Sequence, residues 1–213
     1  MNIDIATTAL LAIDMQRDFL DPQGYAARAG LDISRLRGAI PGVARLLAAA
    51  RAAGLLIIHT REANAPDLSD VPPAFLAATT RTGARVGSPG PLGRFLIRGE
   101  PGSAIIDELA PLASEVAIDK PGFSAFEATA LGAMLGARGI RRLILCGITT
   151  EVCVSSTLRT AIDRGFDCLT VSDACASAFP ELHEAALKMI EVEGGVFGEV
   201  ATVDAVCAQL AAA

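Results

Sequence analysis

Three residues, each at or just beyond the end of an apolar run, have the types a nucleophilic site needs. Asp14 follows Leu10-Leu11-Ala12-Ile13, Lys120 follows Val116-Ala117-Ile118-Asp119, and Cys153 lies in GITTEVCVSST, directly behind Leu143-Ile144-Leu145-Cys146. A free cysteine is usually a small buried hydrophobe, and Cys146, Cys168, Cys175 and Cys207 read that way. Cys153 differs by position. With Thr149 or Thr150 as the cap of a helix, its thiol falls in the first turn, where unpaired amides and the positive dipole end favour a thiolate and can hold an oxyanion. A thiol attacking an amide needs a proton acceptor and then a donor for the departing nitrogen. A carboxylate at the adjacent strand end, Asp14, can serve both purposes. Pro121 biases Lys120 towards extended backbone, so that its ammonium can enter the same crevice, lower the thiol's pKa and favour Asp14 ionised.

Other chemistries fit the chain poorly. It has only two histidines, His59 and His183, and His183-Glu-Ala-Ala-Leu lacks the second histidine of a zinc-protease helix. His59 at a strand end leaves a Cys–His pair formally open. There is no G-x-S-x-G, G-x-G-x-x-G or P-loop pattern, and the five cysteines include no C-x-x-C. A net charge of −6 disfavours a nucleic-acid partner and points to a small-molecule substrate. No apolar stretch approaches the length of a membrane span, and the first residues carry acids where a secretory signal has its basic region. The expectation is a cytoplasmic protein with no membrane partner, cofactor or metal.

These residues must be positioned by the elements around them. The 213 residues, 52% of them apolar, suit one globular domain over 1–213. Short continuous apolar runs predict strands over 10–13, 55–60, 116–119, 143–147, 168–172 and 200–203, alternating with helical patterns. That alternation implies βαβ units and a doubly wound α/β fold whose strands are buried on both faces. Right-handed crossovers bring the strand ends carrying Asp14, Lys120 and Cys153 to one edge, where ligands bind. Helices are expected over 34–53, stopping at Gly54; from a capping box at Ser124-Ala-Phe-Glu127 towards Gly139; after Cys153 to Gly165; and from Pro180 towards Gly194-Gly195. The Gly- and Pro-rich piece at 83–102 reads as an inserted loop with a short hairpin, a lid or an oligomer contact.

Taken together, AIDMQRDF, DKPGFSAF and GITTEVCVSSTLRTAIDRG resemble the isochorismatase-like cysteine hydrolases over nearly the whole chain. The resemblance implies a parallel sheet of order 3-2-1-4-5-6, a homo-oligomer (tetramer or dimer), and Asp14, Lys120 and Cys153 as the catalytic set. It also implies a cis peptide at Ile148-Thr149, with the Thr149 and Cys153 amides as the oxyanion hole. HTREANAPDL, GSPGPLGRFLIRGEPG and KMIEVEGGVFG are similar to the branch of biuret hydrolases and other ureide amidohydrolases. The implied activity is hydrolysis of a C–N bond in a small amide or ureide through an acyl-enzyme. Alternatives are carbamoylsarcosine-, ureidoacrylate- or nicotinamide-type amidase activity, enol-ether hydrolysis, or a non-catalytic binding protein. Phe19, Phe123, Thr150 and Glu193 are the implied substrate contacts. Phe123 and Glu193 replace a lysine and a glutamine of that branch, which makes biuret itself a poor fit.

Overall fold

The computed structural model describes residues 3–212. Its centre is a six-stranded, all-parallel sheet: β1 (Thr8–Ile13), β2 (Leu56–Glu62), β3 (Val116–Lys120), β4 (Arg142–Ile148), β5 (Asp167–Ala176) and β6 (Glu199–Ala201), in the spatial order 3-2-1-4-5-6. The doubly wound α/β sheet read from the sequence pattern holds, and so does the strand order that the family resemblance implies. Alternate residues of each strand enter opposite cores. Leu10 and Ala12 pack with Ile57, Ile144 and Cys146, whereas Ala9, Leu11 and Ile13 pack with Ile58, Leu143 and Leu145. Both faces are therefore dry, which is why the strands read as unbroken apolar runs.

The first face is covered by α1 (Ile40–Ala53) and the C-terminal α6 (Val203–Ala212), which contribute Val43, Leu46, Leu47, Val206 and Leu210. Gly54 ends α1 in the left-handed region at φ 72°, its N–H returning to Ala50 O. The region over 34–39 is a separate turn of helix, Ile33–Leu36, and a 3₁₀ turn, Arg37–Ala39, leading into α1. The second face carries α3 (Leu131–Ala137) and α4 (Ser155–Asp163), with Leu131, Leu135, Leu158 and Ala161 buried. α5 (Pro180–Ile190) opens at its proline, as expected, but ends at Ile190; a kinked turn over Val192–Gly195 follows it.

Two expectations are corrected. Ser124 does not cap a helix: its Oγ accepts from the Phe126 N–H and donates to Thr160 Oγ1, Thr157 Oγ1 takes the Ala125 N–H, and Ala128 turns to φ 54°. Side-chain bonds to α4 thus hold 121–130 as turns, and the helix begins only at Leu131. The piece at 83–102 does contain a two-residue hairpin, Pro89–Gly90 with Gly93–Arg94, yet it is no loose insertion, because Phe95, Leu96 and Ile97 are buried and Leu96 N–H bonds to Asp18. Just before it lies a helix the sequence pattern did not single out, α2 (Pro73–Arg81).

Candidate active site

The carboxyl ends of β1, β2, β3 and β4 meet at one place. Register pairs Ile13 with Gly147 and Glu62 with Lys120, so Asp14, Glu62 and Lys120 leave neighbouring strands at the same height. Gly147 makes the approach of β4 to β1 close: it has φ 114°, and a Cβ there would run into the Ile13 carbonyl oxygen. The Ile148-Thr149 peptide is cis. The chain then enters a π-helical turn, Thr150–Val154, before α4, and this turn presents Cys153. Thr149 stands at the cap position with extended backbone, but its side chain makes no capping bond, so the expected side-chain cap is replaced by the turn itself.

Asp14, Lys120 and Cys153 are all buried and together. Asp14 Oδ1 accepts from the Thr60 hydroxyl at 2.6 Å, and Oδ2 lies 2.7 Å from Lys120 Nζ. The same ammonium donates to Gly122 O at 2.8 Å and reaches Cys153 Sγ at 3.5 Å. Desolvation alone would lower the pKa of Lys120, but Asp14, with Cys153 and Glu62, outweighs it and raises the value above the usual range for lysine. The amine is therefore a fixed cation. Burial pushes the Cys153 thiol well above its usual value, with Lys120 opposing. Removing the sulfur from water therefore opposes the thiolate that a helix start favours, and Lys120 offsets part of that opposition.

Sequence reasoning missed Glu62. It ends β2, is buried, accepts from the Cys153 thiol at 3.6 Å and lies 3.9 Å from Lys120 Nζ. Burial raises its pKa to about 7, Lys120 opposing and Asp14 adding to the rise. The signal was present, since Glu62 is a polar residue closing an apolar strand, as Lys120 is. Asp14, Glu62 and Cys153 place one ligand atom each within 4.8 Å of one another. Lys120 Nζ stands among all three, and a divalent cation held by them would face that ammonium at contact distance. The set does not fit a metal.

Cys153 opens into a cavity of about 160 Å³ whose walls include Phe19, Tyr25, Leu31, Phe75, Phe123 and Val152, with Glu62, Ile148 and Thr149 beside the sulfur. Phe123 meets Phe75 of α2 edge to face at 5.0 Å. Of the implied substrate contacts, Phe19 and Phe123 line this cavity and two others do not. Thr150 is buried and its hydroxyl is hydrogen-bonded to His183 Nδ1 at 2.8 Å, while Glu193 sits exposed, at φ 52°, in the turn after α5. His59 is occupied elsewhere: its Nε2 pairs with Glu115 at 2.9 Å and burial lowers its pKa, which removes the Cys–His alternative.

The family profile for the isochorismatase domain matches residues 8–205. The chain belongs to the isochorismatase family. Among curated members of the family, it is 34% identical over 212 residues to the ureidoacrylate amidohydrolase RutB of Azorhizobium caulinodans, covering 95% of this chain and 90% of that protein. The corresponding RutB of Stutzerimonas stutzeri is 36% identical over 215 residues, covering 97% and 84%. Among solved structures, this family member superposes on a cysteine hydrolase from Pseudomonas syringae pv. phaseolicola 1448A with a TM-score of 0.84 at 28% identity, covering 100% of this chain and 96% of that one. An isochorismatase family protein from Desulfovibrio vulgaris gives 0.79 at 30% identity, covering 96% and 98%.

Proposed function

We propose that this protein hydrolyses a C–N bond of a small amide or ureide through a covalent acyl-enzyme on Cys153. The observation that carries the reading is the sulfur at the cavity wall, backed by a cation at 3.5 Å that is itself ion-paired to Asp14 at 2.7 Å. Asp14 accepts the thiol proton as sulfur bonds to the carbonyl carbon, and the C=O π pair moves onto oxygen. The Thr149 and Cys153 amides, both at the cavity wall, receive that oxyanion. Its collapse breaks the C–N bond, the leaving nitrogen takes the proton back from Asp14, and water then cleaves the thioester with the same carboxyl group as base. One water is consumed; an acid and ammonia or an amine are released. Lys120 keeps the exchanged proton from creating an uncompensated buried charge.

The ureidoacrylate amidohydrolases among the relatives support a ureide as substrate. The Phe75–Phe123 wall supports one with an apolar or flat arm. The activity uses no metal, works in a reducing cytoplasm, and belongs to a homo-oligomer. The free state of all five cysteines and an exposed apolar stripe on α5 support the last two points. The test is ammonia release across biuret, carbamoylated amino acids, ureidoacrylate, nicotinamide and simple aliphatic amides, repeated after exhaustive chelation. Cys153→Ala should abolish turnover of whichever compound reacts, with the melting temperature nearly unchanged; substantial residual activity rules out the acyl-enzyme.

A further inference from the structure

One carboxylate on the cavity wall has no task in the thiol chemistry. Asp14 and Lys120 are not among the residues that line the cavity, and both Asp14 oxygens are engaged, by Thr60 and by Lys120. Glu62 is the one carboxylate among the residues that line the cavity. Its position is fixed from the main chain outward: the fully buried Gln16 accepts from the Glu62 N–H through Oε1 at 2.6 Å and donates to the Glu62 carbonyl through Nε2 at 3.0 Å. The carboxylate thereby stands beside Cys153 on the wall of an otherwise largely apolar chamber. Such a group demands a donor, because a buried acceptor left unpaired is costly. The thiol at 3.6 Å is such a donor.

We propose that Glu62 is the substrate-binding carboxylate of this site, accepting a hydrogen bond from an N–H of the amide or ureide seated over Cys153. This rests on the proposed thiol chemistry and sets its substrate class: the compound must carry at least one N–H on the nitrogen attached to the attacked carbonyl. Esters and N,N-dialkyl amides of the same acyl group leave Glu62 unpaired and are rejected. The thiol's hydrogen bond to Glu62 is exchanged for the substrate's, which frees the S–H for Asp14.

Two alkylating agents test this without turnover. Iodoacetamide carries an NH₂ and methyl iodoacetate an ester oxygen at the same place; in both, sulfur displaces iodide, the C–I pair leaves with it, and the thiol proton passes to solvent. The rates at Cys153 are read by mass spectrometry at pH 8, each divided by the rate with glutathione. The parent protein is expected to favour iodoacetamide by about 10- to 100-fold on this scale, the worth of a hydrogen bond to a charged group. Glu62→Leu should bring the ratio to that of glutathione, and Glu62→Gln, which retains a neutral acceptor, should lie between. A change in thiol ionisation alone alters both rates equally and leaves the ratio untouched. A parent ratio equal to glutathione's, or one unchanged in Glu62→Leu, overturns the assignment. Retained amide turnover in Cys153→Ala instead overturns the acyl-enzyme reading, whatever the alkylation ratio.

Discussion

A carboxyl group buried beside a thiol is held at a cost to stability, and the sign of that cost can be worked out for Glu62. Its pKa is about 7 in the folded protein against 4.5 for an ordinary glutamate. Between those values the folded state binds more protons than the unfolded chain, so stability falls as pH rises through that window. The stability of the neutral form is fully present below about pH 4.5 and is lost by about pH 8. Glu62→Gln should therefore melt higher than the parent at pH 8, by about 1–3 kcal/mol, or about 2–4 °C for each kcal/mol in a chain of this size. The gain should vanish near pH 4.5. Melting curves across that range check it, and a variant no more stable at pH 8 contradicts the burial argument. At this scale Asp14, Lys120 and Cys153 were legible, because each is a reactive type where an apolar run stops. The thiol's surroundings were not legible: a helix start favours a thiolate, and only the structure shows the depth of burial that opposes it.

Among the elements, the narrowest tolerance is where β4 passes β1. Gly147 occupies φ 114° and its missing side chain leaves room for the Ile13 carbonyl. In Gly147→Ala the added methyl would meet backbone on a central strand, and the strained conformation alone costs about 1–3 kcal/mol. We expect a lower melting temperature and an even larger relative loss of kcat, because the displaced segments carry Asp14 on one side and Cys153 on the other. Equal activity per folded molecule would show that the register there is not what sets the site. A second expectation concerns the wall made by α2 and the β3 to α3 connection. Phe123→Lys adds a cationic donor where Phe75 now packs on a ring and should raise kcat/KM for biuret relative to amides with an apolar arm. Glu193→Gln, at an exposed turn outside the cavity, should leave that ratio alone; steady-state kinetics on the two substrates decides. Strands were readable here to within a few residues, since burial on both faces leaves a continuous apolar signature. The false helix start at Ser124 has a physical reason: serine and threonine offer the same oxygens to a cap and to a turn, and Thr157 and Thr160, over 30 residues away, settle the choice.

At the level of the whole molecule, the doubly wound parallel sheet followed from the alternation of strands and helices and its strand order from the family resemblance, whereas nothing in the apolar periodicity distinguishes a core face from a face meant for a second copy. α5 shows that ambiguity. It buries Ile190, yet Phe179, Leu182 and Met189 are 44%, 43% and 52% exposed, continued by Val192 and Val196 in the following turn. A stripe of this kind on a chain with charge −6 is expected to pair with another copy of itself. α5 also holds the nucleophile's turn through His183 and Thr150, so association should steady Cys153. The parent should therefore sediment as a dimer or tetramer at micromolar concentration. Raising salt from 0.05 to 0.5 M, roughly a threefold cut in screening length, should tighten the association, because it screens like-charge repulsion and leaves apolar contact intact. Leu182→Glu combined with Met189→Glu should give a monomer with reduced kcat and a fully folded circular dichroism spectrum. A parent that sediments as a monomer, or a double variant that stays associated, would remove α5 from the assembly. Loss of association with kcat unchanged would separate assembly from catalysis and leave the Thr150–His183 bond sufficient to hold the turn by itself.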